Sequence, residues 1–223
     1  MLARVAAATA RRVPEAQGAP PPRLIGVSKR HSLDAIRELR AAGLRDFGEN
    51  YAQEFQGKHA ALAGDDELRW HFIGALQTNK VKLVVGHALI HTVDRARLLD
   101  AIERRARALG VTQRVLVELQ LAPEEGKAGL RADELPALLD RFAACERVRC
   151  CGLMIIPPPG EPEETRPYFA ELRRLRDRLA GTPRANVELR ELSMGMSADF
   201  EIAIEEGATL IRVGTALFGS RPR

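Results

Sequence analysis

Small residues follow the last two apolar runs of the sequence, in a pattern that suits a bound phosphate. Residues 193–197 follow the first run, and Gly214 and Thr215 follow the second. Small side chains let an anion approach backbone N–H groups, and helices opening near Ser197 and Thr215 would direct further amides to the same point. Because glycine also marks ordinary loops before helices, this pattern alone leaves a phosphate site and a plain loop equally open.

A lysine at the end of the first strand candidate offers a nucleophilic amine. Residues 23–29 alternate so that Ile25, Val27 and Lys29 share one face of a strand. Burying an ammonium group is costly unless it is paired or neutralised, and an amine with a lowered pKa is the usual nucleophile for a Schiff base. The alternative is that the side chain extends into solvent. Lys29 and a phosphate site together indicate a covalently bound phosphorylated aldehyde.

Two further polar residues have both a functional and a structural interpretation. Arg212 lies on the same side of the last strand as Gly214, so its guanidinium either contacts a ligand or forms an internal ion pair with Glu118 or Glu191. Asn50 follows the second strand candidate and either contacts a ring substituent or caps the next helix. The histidines lack metal-ligand spacing, so the sequence predicts no metal site.

The elements that must position these residues alternate along the whole chain. Ser32 is the predicted N-cap of the first long helix, Asp94 caps a helix that Gly110 ends, and Pro167 begins another. Alternation of strands and helices predicts parallel βαβ units, and eight units in 223 residues predict one (β/α)₈ TIM barrel domain spanning residues 1–223, with a short N-terminal helix. An open doubly wound sheet is the alternative. The predicted strands are residues 23–29, 45–50, 69–74, 88–93, 114–121, 148–156, 187–192 and 209–213.

Composition excludes several classes of partner. The net charge is only +4, and acidic residues interrupt the arginine clusters, so these clusters indicate solvated helix faces and no nucleic-acid surface. No apolar stretch is long enough for a membrane span. Three cysteines without metal spacing fit a reducing compartment, and we expect a cytoplasmic monomer. The first twelve residues are rich in Arg and Ala like a transit peptide, but a short amphipathic helix is the preferred interpretation.

Six motifs in chain order resemble those of the pyridoxal-phosphate homeostasis protein family (YggS/PROSC type). The resemblance runs from about residue 23 to residue 219 and implies the fold type III barrel of the alanine racemase N-terminal domain, with pyridoxal 5′-phosphate (PLP) as the cofactor. The motifs are Gly26-Val-Ser-Lys29, Phe47-Gly-Glu-Asn-Tyr51, Trp70-His-Phe-Ile-Gly74 with Leu76-Gln77 and Asn79-Lys80, Gly152-Leu-Met154, Leu192-Ser-Met-Gly-Met-Ser197, and Arg212-Val-Gly-Thr215 with Phe218-Gly219.

The same resemblance implies a role for each matched residue. Lys29 would form the internal aldimine, Arg212 would approach the pyridine nitrogen, and Asn50 would contact the ring. The residues implied around the phosphate are Ser193, Gly195, Gly214 and Thr215.

The chain departs from the family's motifs at three places. Arg30-His31-Ser32 stands where the family often has Thr-Lys-Pro, and Ala75 stands where a Pro is frequent. The fifth strand lacks the usual Asn near Gln120 and the usual Ser near Ala122. These last changes put any ligand contact from the fifth strand in doubt.

The resemblance is compatible with both a PLP carrier and a PLP-dependent racemase, and the positions of the tyrosines distinguish these two functions. Racemisation needs a proton-transfer group opposite the lysine, which a tyrosine of an additional C-terminal domain supplies in alanine racemase. This chain has only Tyr51 and Tyr168, neither predicted to face Lys29. We therefore expect a PLP-binding homeostasis protein that holds PLP reversibly and delivers it to apo-PLP-dependent enzymes, without robust catalysis. The alternatives are a weak amino-acid racemase using Lys29 and a barrel enzyme acting on a sugar phosphate.

Overall fold

Eight parallel strands close into a barrel in the computed structural model, which describes residues 1–122 and 128–219. The strand order is β4-β3-β2-β1-β9-β8-β7-β5, and pairing of β4 with β5 closes the barrel, so the closed form is confirmed and the open sheet is wrong. A two-residue strand, β6, pairs with the end of β5. The strands are β1 (Arg23–Val27), β2 (Asp46–Glu49), β3 (Arg69–Phe72), β4 (Leu89–Val93), β5 (Gln113–Gln120), β6 (Leu130–Arg131), β7 (Val148–Ile155), β8 (Val187–Ser193) and β9 (Leu210–Val213).

Helices surround the barrel and connect consecutive strands. A short helix is present at the N-terminus, as the sequence predicts, and this helix, α1, packs against α7. The connection after β3 is a 3-10 helix, Thr78–Leu83, where the sequence predicts a helix near residues 79–85. Further 3-10 turns are Pro14–Ala16 and Phe142–Ala144. The α-helices are α1 (Leu2–Ala10), α2 (Leu33–Ala41), α3 (Ala52–Ala61), α4 (Ala96–Leu109), α5 (Leu135–Arg141), α6 (Pro162–Ala180), α7 (Phe200–Glu205) and α8 (Thr215–Phe218).

Two predicted helix boundaries are confirmed. The Ser32 hydroxyl accepts a hydrogen bond from the Ala35 N–H at 3.2 Å, which satisfies one of the free amides at the start of α2. Gly110 adopts a left-handed φ of 66° and ends α4, a conformation that costs glycine no side-chain clash.

Two other predicted boundaries are wrong. Asp94 does not cap α4, because its carboxylate pairs with the Arg95 guanidinium at 2.5 Å and α4 begins without a side-chain cap. Pro167 does not begin α6 but lies inside it. The helix begins five residues earlier, at Pro162, where the Glu161 and Glu164 side chains form a reciprocal capping box with each other's backbone N–H groups.

The apolar core has an outer and an inner part. The outer part lies between the sheet and the helices and includes Phe47, Phe55 and Phe169. The inner part fills the middle of the barrel with Ile25, Leu116, Cys151, Met154 and Leu210. Polar residues lie along the interior on both sides of this apolar layer, since side chains two positions apart on a strand share a face. In the described part of the chain, no helix has the length and apolarity that crossing a membrane requires.

Candidate functional site

A cavity of about 310 Å³ lies at the carboxyl ends of the strands, the end where (β/α)₈ barrels bind their ligands. Five of the seven predicted site residues line it, namely Lys29, Asn50, Arg212, Gly214 and Thr215. The other two, Ser193 and Gly195, are not among the lining residues. The rest of the lining, which the site prediction left out, consists of Val27, His31, Ile73, Ile156, Met196, Ser197, Ala198 and Gly219.

Hydrogen bonds from α3 fix the backbone on both sides of Lys29. The buried Lys58 ammonium donates to the Ser28 carbonyl at 2.6 Å, and the Glu54 carboxylate accepts the Arg30 N–H at 2.5 Å. Arg30 itself has a left-handed φ of 62°, which turns the chain sharply after the lysine. The backbone on both sides of Lys29 is therefore fixed by α3, while the Lys29 side chain lines the cavity.

Lys58 also neutralises a buried carboxylate beside this loop. Its ammonium lies 2.7 Å from Glu49 and 2.7 Å from Glu54, and the Ser28 hydroxyl donates to Glu49 at 2.7 Å. Burial raises the pKa of Glu49, although the bonds from Lys58 and Ser28 oppose the rise. Sequence reasoning missed this support. The i,i+4 spacing of Glu54 and Lys58 indicates their mutual pair but not the contact with the neighbouring loop.

The turn after β9 presents small residues to the cavity. Gly214 precedes α8, and its N–H donates to the Ser197 hydroxyl at 3.3 Å. Thr215 and Ala216 form the first turn of α8, where backbone N–H groups lack a partner within the helix. Ser197, Gly214 and Thr215 thus lie together on one part of the cavity lining.

Gly195 shapes this region from behind the cavity. Its φ is 89°, and a Cβ at this position would lie 2.5 Å from the Ala203 Cβ and 3.0 Å from the Phe200 Cα. Only glycine tolerates both the conformation and the contact with α7. Its carbonyl accepts the Arg212 N–H at 3.0 Å, so the turn after β8 is bound to β9.

Arg212 is a buried cation held by neutral groups. One terminal nitrogen donates to the Ser193 hydroxyl at 2.6 Å and the other to the Ile155 carbonyl at 2.8 Å. Within the described residues it has no ion pair with Glu118 or Glu191, so the internal ion pair that the sequence left open is absent there. Burial lowers the pKa of Arg212 to about 10, which leaves the guanidinium charged at neutral pH.

The two tyrosines lie around this site rather than in it, whereas one histidine lines the cavity. Tyr51 is exposed, with its hydroxyl 3.3 Å from the Arg30 guanidinium, and Tyr168 packs on the outer core; neither lines the cavity. Across residues 1–122 and 128–219, no group of three or more metal-ligand side chains comes together. His31, which the site prediction did not include, lines the cavity and stacks on Phe218 with ring centroids 4.5 Å apart.

Known proteins match this chain over nearly its full length. The alanine racemase N-terminal domain model matches residues 7–222. The pyridoxal phosphate homeostasis protein of Aquifex aeolicus is 49% identical over 201 residues, which are 89% of this chain and 87% of that protein. The structure of PipY from Synechococcus elongatus PCC7942 with PLP bound is 40% identical, has a TM-score of 0.84, and covers 97% of this chain and 99% of its own.

A more distant structure supports the fold alone. Alanine racemase from Corynebacterium glutamicum is 16% identical with a TM-score of 0.66, and the match covers 100% of this chain and 62% of the racemase. The family match over residues 7–222 and the 49% identity to the Aquifex aeolicus protein confirm the family resemblance carried by the six sequence motifs. This chain belongs to the alanine racemase N-terminal domain family, among the relatives that are named pyridoxal phosphate homeostasis proteins.

Proposed function

We propose that this protein binds PLP in the cavity at the carboxyl ends of the strands and serves intracellular PLP homeostasis. One observation carries the proposal: an amine (Lys29), a buried guanidinium (Arg212) and the small residues Gly214 and Thr215 line a single cavity. PLP has an aldehyde, an aromatic ring nitrogen and a phosphate, and these three groups match that set. Relatives of this chain are named pyridoxal phosphate homeostasis proteins.

The residues present fit this cofactor. The cavity volume of about 310 Å³ is at the lower end of the range for small-molecule sites. The Asn50 side-chain oxygen lies buried without a hydrogen-bond partner, which is costly unless a bound molecule supplies a donor. Bound PLP would supply the aldehyde carbon with which the Lys29 amine condenses, forming a C=N bond and releasing one water. Ser197, Gly214 and Thr215 would hold the phosphate, and Arg212 would lie beside the ring nitrogen.

We further propose that the protein acts as a carrier without robust catalysis. The two tyrosines of the chain lie outside the cavity lining, that lining includes no carboxylate among the described residues, and its imidazole, His31, stacks on Phe218. A racemase needs a proton-transfer group on the face of the cofactor opposite the lysine. A C=N bond to Lys29, which water can hydrolyse back to amine and aldehyde, would let the protein release PLP to apo-PLP-dependent enzymes, and we propose that it does so as a cytoplasmic monomer.

Borohydride trapping tests the binding proposal. The purified protein is incubated with PLP, reduced, digested and mapped by mass spectrometry, and its visible absorption is recorded before reduction. We expect a yellow protein whose reduced adduct lies on Lys29, and loss of both signals in Lys29→Ala. Lys82→Ala is the matched control, because Lys82 is an exposed lysine outside the cavity.

An adduct on another side chain, or none, would contradict the proposal. A colourless protein that resists reconstitution would favour the sugar-phosphate enzyme. Incubation with several L-amino acids followed by chiral analysis separates the carrier from the weak racemase, since accumulation of D-amino acid with the wild type but not with Lys29→Ala supports only the racemase.

A further inference from the structure

Five polar side chains form a continuous series of hydrogen bonds through the barrel interior, from Asp46 at one end to Arg212 at the other. The links are Asp46 to His71 (2.9 Å), His71 to His91 (2.9 Å), His91 to Ser193 (2.9 Å) and Ser193 to Arg212 (2.6 Å). Every member is buried. The link from His91 on β4 to Ser193 on β8 joins strands that are not neighbours in the barrel, so the series crosses the interior.

The two ends of this series determine where its protons lie. A guanidinium can only donate hydrogen bonds, and an ionised carboxylate can only accept them. Although burial opposes ionisation of Asp46, its bonds with His71 and Arg69 hold the pKa of that carboxyl below its usual range. Burial also lowers the pKa of His71, so its imidazole is neutral, with one donor and one acceptor nitrogen.

One proton arrangement satisfies all four links. Arg212 donates to the Ser193 oxygen, whose hydroxyl donates to Nδ1 of His91; burial lowers the pKa of His91 as well, so this imidazole is neutral. Nε2 of His91 then donates to Nδ1 of His71, and Nε2 of His71 donates to Asp46. Each of the three middle groups accepts one bond and donates one.

We infer that Ser193, His91 and His71 are positioning residues that orient Arg212 in the cavity without a carboxylate bonded directly to its guanidinium. The groups that bond directly to the guanidinium, the Ser193 hydroxyl and the Ile155 carbonyl, are neutral. A carboxylate in direct contact would compete with an electron-rich ligand group for the same cation. Here the carboxylate at the far end, Asp46, is separated from Arg212 by three intervening residues and pairs with Arg69 at 2.6 Å.

We call the set of bonds that holds the Arg212 guanidinium through Ser193, His91 and His71 the clamp. The clamp does not depend on which ligand the cavity binds, whereas its effect on PLP rests on the proposed function. A clamped guanidinium beside the ring nitrogen would change the visible absorption of bound PLP and its affinity. Ser193 acts in this account through Arg212 and not through the phosphate, although the family resemblance implies a phosphate contact for it.

Histidine ¹⁵N NMR on the ligand-free protein at pH 7 tests the proton arrangement directly. We expect His71 and His91 to be neutral, each with its proton on Nε2 and none on Nδ1, with assignment from single His→Gln variants. Arg212→Ala should leave the tautomer of His71 unchanged, because Asp46 still accepts its proton. A doubly protonated ring, or a proton on Nδ1 of either histidine in the wild type, would overturn the inference.

Titration with PLP and with pyridoxal, which lacks the phosphate, tests the clamp. We expect Ser193→Ala to weaken both ligands by about 5- to 10-fold, the effect of one lost buried hydrogen bond, and to move the visible maximum. Ser193→Thr, which keeps the hydroxyl, should restore both properties. The matched control is Thr92→Val, which removes a buried hydroxyl that donates to the Gly74 carbonyl at 2.7 Å, and it should lower stability without moving the maximum.

The outcomes separate the clamp from its alternatives. If Ser193→Ala weakens PLP but not pyridoxal, Ser193 contacts the phosphate and the clamp is wrong. If Ser193→Ala behaves like Thr92→Val in both titrations, its role is only structural. Should the wild type bind neither ligand, the proposed function fails, and the NMR measurement alone decides the clamp.

Discussion

The arginines at the two ends of the barrel have different kinds of partner. At the amino ends of the strands, Arg23 lies 2.8 Å from Glu191, and Arg69 lies 2.6 Å from Asp46. At the carboxyl ends, Arg212 is bonded to a hydroxyl and a carbonyl, and the described cavity lining contains no carboxylate. The arginines at the amino ends are thus paired with carboxylates, whereas the guanidinium that lines the cavity donates its hydrogen bonds to neutral groups.

Carboxyl groups differ between the two ends in the same sense. Bonds with His71 and Arg69 hold the pKa of Asp46 below its usual range despite burial, so it is ionised at neutral pH. Burial, together with the charge of Asp94, raises the pKa of Glu118 on β5 to about 7. Asp46 is therefore paired with a cation and ionised, whereas Glu118 has no such partner among its direct contacts with the residues that the structure describes, and its pKa lies near neutral pH.

The largest predicted effect is on the pH dependence of stability in Glu118→Gln. Because folding raises the pKa of Glu118 from 4.5 to about 7, this group makes the wild type less stable as pH rises through that window. The variant lacks the buried charge, so above pH 7 it should be more stable than the wild type by up to about 3 kcal/mol, and the difference should narrow towards pH 5. Urea unfolding at pH 5 and pH 8 measures both values. Equal differences at the two pH values would contradict the assignment.

Arg212→Ala should weaken PLP binding by roughly 10- to 100-fold, because a hydrogen bond or contact from a charged group contributes about 1.5–3 kcal/mol. Its effect on folding should be smaller, since burial of the guanidinium is itself costly. Thermal melting with and without PLP separates the two effects. Equal melting losses in both conditions would contradict the prediction, which rests on the proposed function.

Gly195→Ala should destabilise the fold by about 2 kcal/mol, because the new methyl group meets Ala203 and the backbone is left-handed. Gly57→Ala is the matched control. Gly57 lies inside α3 with no heavy atom within 4 Å of the added Cβ, so the same change should stabilise by about 0.5–1 kcal/mol. Chemical denaturation of both variants gives the comparison, and a neutral Gly195→Ala would show that the turn can relax.

The smallest effect on stability is predicted for Arg114→Gln, a change near the amino ends of the strands. The Arg114 side chain is 56% exposed and lies 4.0 Å from Glu191, a pair that contributes less than about 1 kcal/mol. PLP affinity should not change, since Arg114 lies outside the cavity. Denaturation and PLP titration of this variant beside Arg212→Ala measure the contrast between the two ends. A loss of PLP affinity in Arg114→Gln would remove that contrast.

The strand pattern predicts the barrel because each strand is short, apolar and followed by a helical period. The rule that function gathers at carboxyl ends then predicts that Lys29, Asn50 and Arg212 share a cavity. Local signals fail where two candidates compete, as at Pro167, where the capping residues Glu161 and Glu164 start α6 earlier.

The bonds across the barrel interior could not be predicted from the sequence. Ser193 was expected at the cavity because it ends an apolar strand, yet its hydroxyl is bonded to His91 and Arg212. The contact between β4 and β8 depends on closure of the whole sheet, and no spacing along the chain encodes it. The same holds for His31, whose stacking on Phe218 joins segments far apart in sequence.

The cavity lies across the seam between β1 and β9, which pair in parallel although they come from opposite ends of the sequence. Lys29 follows the first barrel strand in chain order, and Gly214 follows the last. The lysine and the turn opposite it are therefore brought together only when β1 and β9 pair and the sheet closes. An aldehyde phosphate that bound at this seam would bind the closed barrel alone and would stabilise it against unfolding.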